Sequence, residues 1–137
     1  MKKFYITFLI FLFAIMVINF NEALGKTYKK TISVDLDGVL DNYTKYDANN
    51  IPEIKEGARE FIQELYKNGY NLILFTNRKP LLASKWLIEN KLDKYFSDVT
   101  NVKPKATIYI DDRAIKFNGN YEKTLNEIKN FQVYWKN

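Results

Sequence analysis

The chain of 137 residues carries a formal net charge of +5 and contains neither cysteine nor histidine. Its length fits one domain with a core that needs no disulfide or metal clip. The missing residue types exclude a disulfide framework, thiolate or imidazole metal ligation and a Ser-His-Asp triad.

Any metal must therefore be held by oxygen, which favours a hard cation such as Mg²⁺. With 47% hydrophobic and 27% charged residues the composition is globular rather than disordered. The positive charge attracts phosphate-bearing substrates, and nucleic acid is conceivable. The lysines are nevertheless scattered and form no long basic run, as in an ordinary solvated surface.

Lys2 and Lys3 precede an apolar run over residues 4–18, and Ala23 and Gly25 form a small-x-small site. This secretory pattern predicts a signal peptide over residues 1–25, cleavage near Gly25, and a mature domain over 26–137 outside the cytoplasm. The run is shorter than the ~20 residues of a typical membrane span. An uncleaved N-terminal anchor is the alternative, and a core helix a third.

Residues 31–35 are β-rich and end at an acid, which predicts a first strand. Residues 41–54 are polar, tyrosine-rich and contain Pro52, so they form a loop or flap. Residues 56–68 carry Ala58, Phe61, Ile62, Leu65 and Tyr66 at helical spacing, with Gly69 as the stop. A continuous apolar strand follows over 71–75, then a helix over 81–90 after Pro80. A short strand is expected over 98–100 and a buried one over 107–110. A helix over 121–130 and an edge strand over 131–135 complete the chain. Alternating strands and helices predict an α/β fold, a three-layer α/β/α Rossmann-like sandwich with a mainly parallel sheet. Ligands then bind outside the carboxyl ends of the strands.

Those ends carry the polar chemistry. Asp35-Leu36-Asp37-Gly38 brings two carboxylates off the first strand, and Gly38 permits a sharp turn. Alone, D-x-D-G also fits a strand-terminating turn; an EF-hand does not follow, because Leu36, Val39 and Leu40 supply no ligands. Thr76 and Asn77 leave the next strand as a hydroxyl and an amide suited to phosphoryl oxygens, or simply to a turn. Lys103 and Lys105 precede a strand that ends in Asp111-Asp112. The lysines can neutralise charge or be solvent-exposed; the acids can complete an Mg²⁺ site, cap a helix or pair with a base.

Together, in this order, the four elements resemble the haloacid dehalogenase superfamily over residues 31–117. Asp35-Leu36-Asp37-Gly38-Val39 looks like its first motif, Thr76 its second, Lys103-Pro104 its third and Asp111-Asp112 its fourth. The resemblance implies an Mg²⁺-dependent phosphatase in which Asp35 attacks phosphorus and becomes an aspartyl-phosphate. Asp37 would act as general acid and then base. Thr76 and Asn77 would bind the phosphoryl group, and Lys103 would stabilise its charge. Asp35, the Asp37 backbone carbonyl and Asp111 or Asp112 would hold the metal. Lys105 is the alternative lysine, since the spacing from Lys103 to Asp111 is short for the family.

Neither the 37–76 nor the 76–103 interval has room for a cap domain. An open site admits small phosphomonoesters, phosphoproteins or nucleic-acid ends. A non-catalytic phosphate- or partner-binding module is the competing function. Tyr43 and Tyr46 are candidate substrate contacts or plain loop aromatics, and Trp86 and Trp135 are expected to pack.

Overall fold

The structure is a computed structural model that describes residues 30–136; the expected signal over 1–25 lies outside the described residues. Among those described, no helix is long and apolar enough to cross a membrane.

Among the described residues, four parallel strands form one sheet in the order β3-β2-β1-β4: β1 Thr31–Val34, β2 Asn71–Phe75, β3 Phe96–Thr100 and β4 Ile108–Ile110. Among the described residues there are three helices, α1 Ala58–Lys67, α2 Pro80–Glu89 and α3 Tyr121–Lys129, and one 3₁₀ turn over Asp93–Tyr95; α1 and α2 link the first three strands, β3 runs on to β4 without a helix, and α3 follows β4. The architecture is α/β and Rossmann-like, and no inserted cap interrupts either connection among the described residues.

Register explains the core. Ile32 and Val34 lie beside Leu72 and Leu74 on one face of the sheet, and all four are buried. The crossovers from β1 to β2 and from β2 to β3 step in the same direction. Right-handed connections therefore put α1 and α2 on one face. There α1 meets β2, α2 meets β3, and both touch the 3₁₀ turn. Ile62 of α1 and Ala83, Trp86 and Leu87 of α2 close that core with Leu36, Leu40 and Leu92.

Several boundaries shift for identifiable reasons. α1 begins two residues later than the apolar spacing suggests, because Gly57 sits at φ 80° as its N-cap. β3 begins earlier, at Phe96, because a bulge opposite Leu72 and Ile73 breaks its alternation, with Ser97 donating to the Leu72 carbonyl at 3.0 Å. The expected edge strand over 131–135 does not form. Two of its aromatic side chains instead find polar partners, Tyr134 donating to the Gly38 carbonyl in the loop after β1 and Trp135 to Asp112 just beyond β4.

Candidate active site at the carboxyl ends of the strands

β1 lies between β2 and β4, so the residues leaving these three strands converge. Asp35 follows β1 directly, and its N–H still bonds to the Ile110 carbonyl at 2.9 Å, which ties it to the end of β4. Beyond Ile110 come Asp111 and Asp112. One carboxylate oxygen from each of Asp35, Asp111 and Asp112 lies within 4.8 Å of the others. Three carboxylate oxygens this close together form the donor set that a hard, oxygen-seeking cation takes.

A second observation points the same way. The Asp112 side chain is 1% exposed, and its Oδ1 is buried without a hydrogen-bond partner. A bare buried carboxylate oxygen is costly unless a cation meets it. Its other oxygen, Oδ2, accepts from the Trp135 indole and lies 3.6 Å from Nε of Arg113. Asp111 is exposed, and its Oδ1 accepts the Arg113 N–H at 2.7 Å. Asp35, Asp111 and Asp112 can thus hold a metal ion.

Asp35 accepts the Leu36 N–H at 2.7 Å. Burial pushes its carboxyl up to about 7; the Leu36 bond opposes this, and repulsion from Asp111, Asp37 and Asp112 adds to it. Without a cation, much of Asp35 is therefore protonated near neutral pH.

Asp37 is buried, and its Oδ1 takes Nε–H of Arg78 at 2.7 Å. Arg78 is 1% exposed and reaches back to the flap, donating to the carbonyls of Asp47 at 2.7 Å and Asn50 at 2.9 Å. Its own N–H bonds to Oγ1 of buried Thr76 at 3.2 Å. Asp37, Thr76 and the flap therefore share one arginine. Asn77 sits exposed on the turn after β2.

The lysines stand apart from the acids. Lys103 is exposed with its ammonium 4.9 Å from the Tyr109 ring centroid, and Lys105 is exposed as well. Neither ion-pairs with Asp35, Asp111 or Asp112 among the described residues. The cation beside the acids is Arg113, lying over the rings of Tyr43 at 4.9 Å and Trp135 at 5.3 Å. Tyr43 is buried in this cluster, whereas Tyr46 is exposed and lies 5.3 Å from the Arg78 guanidinium. Sequence reasoning missed Arg78, Arg113 and Trp135. The arginines directly follow candidate motifs, which was a usable signal; nothing local marks Trp135.

No family model matches the chain, and no curated protein matches it. Among solved structures, a conserved protein from Bacteroides thetaiotaomicron is similar at 24% identity, with a TM-score of 0.51, over 74% of this chain and 90% of that one. That likeness supports the α/β fold with its parallel sheet and carries no information on activity.

Proposed function

We propose that the chain is an Mg²⁺-dependent phosphomonoester hydrolase of the haloacid dehalogenase type, small and capless, working through an aspartyl-phosphate on Asp35. The observation that carries this reading is the meeting of Asp35, Asp111 and Asp112 at the ends of adjacent strands, with a bare buried oxygen on Asp112. Bound there, Mg²⁺ supplies positive charge that favours ionised Asp35 and offsets carboxylate–phosphate repulsion.

A carboxylate oxygen of Asp35 attacks phosphorus as the ester P–O bond breaks. The leaving oxygen takes a proton from Asp37. Arg78 engages Oδ1 of that side chain, so Oδ2 is the oxygen left for proton exchange. Water then attacks the phosphorus of the aspartyl-phosphate and gives its proton to Asp37, which releases phosphate and restores Asp35. The Thr76 hydroxyl accepts from Arg78 and keeps its own proton for a phosphoryl oxygen. Asn77 and the amides of the same turn assist. The charge-stabilising role of Lys103, or of Lys105, requires a flexible side chain to swing in, whereas Arg113 already stands beside Asp112. An uncapped site suits large phosphorylated substrates as well as small ones. Export rests on the residue pattern of 1–25, as a cleaved signal or an anchor.

Two observations favour a second reading, a non-catalytic phosphate-binding module: Asp37 is committed to Arg78, and neither lysine ion-pairs with the acids among the described residues. Phosphate release from an aryl phosphate separates the two. Catalysis predicts Mg²⁺-dependent release that chelation stops and Asp35→Asn lowers by at least about 10³-fold. Mg²⁺ binding without turnover of phosphorylated metabolites, peptides or oligonucleotides supports the module. Undiminished turnover by Asp35→Asn eliminates the covalent mechanism.

A further inference from the structure

Two successive side chains near the end of the chain reach into the site from far along the sequence. Tyr134 donates its hydroxyl proton to the Gly38 carbonyl and accepts from the Lys55 ammonium at 2.6 Å. Trp135 donates its indole N–H to Oδ2 of Asp112. The indole is half-buried and packed on several sides. Tyr43 meets it edge-on, with centroids 5.0 Å apart and planes at 75°, and Arg113 lies over both rings. On the remaining side Gly38 leaves no space, since a Cβ there would come within 2.8 Å of the indole nitrogen.

We propose that Trp135 is a positioning residue for the candidate metal centre: its indole N–H fixes Oδ2 of Asp112 so that the bare Oδ1 is presented to the ion. The inference rests on the reading of Asp35, Asp111 and Asp112 as an Mg²⁺ site. An indole N–H suits this task because it donates and cannot accept, so it orients the carboxylate without competing for the cation. It is also neutral, so it adds no positive charge to that of Arg113, whose Nε lies 3.6 Å from the same oxygen. Partners of this kind set ligand orientation and basicity in metal sites. Mere packing explains the observations less well. An indole buried only for its ring area needs one acceptor, and a backbone carbonyl serves that purpose. Here it takes a carboxylate whose second oxygen has no partner at all.

Calorimetric titration of the full chain with Mg²⁺ alone tests the proposal without reference to turnover. Trp135→Phe keeps a ring against Tyr43 and Arg113 and deletes the N–H. The Mg²⁺ Kd is expected to rise by about 10- to 100-fold, while far-ultraviolet dichroism stays unchanged. An unchanged Kd in the folded variant overturns the role of Trp135. The chain has two tryptophans, so fluorotryptophan labelling of the unsubstituted protein gives a second readout that does not depend on a variant's folding. Mg²⁺ should move the Trp135 fluorine resonance and leave that of Trp86, whose indole bonds to the Pro52 carbonyl, in place. A static Trp135 resonance during saturating Mg²⁺ binding overturns the inference. Asp112→Asn keeps the two ideas apart. If it abolishes Mg²⁺ binding and Trp135→Phe does not alter it, only the positioning role fails. If the unsubstituted chain binds no Mg²⁺, the metal centre fails and the positioning role with it.

Discussion

Gly38 shows how tightly single residues are fixed around the candidate site. It sits at φ 81°, and an added Cβ would stand 2.5 Å from Oδ2 of Asp112. Gly38→Ala therefore combines left-handed strain with a clash against Asp112 and the Trp135 indole. Chemical denaturation should show a loss of about 1–3 kcal/mol; an unchanged midpoint would mean that the loop relaxes freely. Asp41 closes the same turn, its Oδ1 accepting the Gly38 N–H at 2.8 Å. Burial raises its carboxyl from 3.8 to about 6, with Asp37 adding and the Gly38 N–H and Arg78 opposing. The folded state thus binds the Asp41 proton more tightly than the unfolded chain does. The stability it contributes is complete below about pH 4 and is lost as pH rises through about 6. Asp41→Asn escapes that loss. Its melting temperature relative to the unsubstituted protein should climb between about pH 4 and pH 7; a constant difference contradicts the assignment. Residues of this kind were only partly legible in the sequence. Asp35, Asp37, Thr76 and the Asp111-Asp112 pair stood out because each follows an apolar strand. Arg78 and Trp135 act through contacts spanning 41 and 23 positions, and no local pattern encodes those.

At the scale of elements, the strand at residues 71–75 and the helix beginning at Tyr121 were readable from apolar run and spacing alone. The bulge in β3 and the fate of residues 131–135 were not, because both depend on which neighbour each segment meets. Arg78 welds one such neighbour to the site. Three of its bonds join the turn after β2 to Asp37 and to the flap carbonyls of Asp47 and Asn50. Arg78→Met leaves the largely buried Asp37 carboxylate without its counterion. Loss of one partner from a buried pair costs about 3–5 kcal/mol. Urea denaturation should register a drop of that order, and amide exchange over residues 41–54 should rise more than in β2. Exchange that stays slow across the flap would mean that the antiparallel bridge between Asp41 and Ile54 and the Trp86 bond to the Pro52 carbonyl hold it without Arg78.

Across the whole molecule, parallel topology does the assembling. Placing β1 between β2 and β4 brings residues 35, 76, 111 and 112 to one edge although 76 positions separate Asp35 from Asp111 (111 − 35). The fold class and the uncapped connections followed from alternating strand and helix patterns; the positions of Lys103 and Arg113 around that edge did not, since side-chain reach is set by tertiary contacts. On the proposed function, the acids gather so that Asp35 can take a phosphoryl group. Rapid acid quenching of the chain mixed with Mg²⁺ and an aryl phosphate, followed by peptide mass spectrometry, addresses it directly. The expected result is a phosphoryl adduct on Asp35 that appears only with Mg²⁺ and is absent from Asp35→Asn. Phosphate release at full rate with no adduct on Asp35 at any quench time would contradict it.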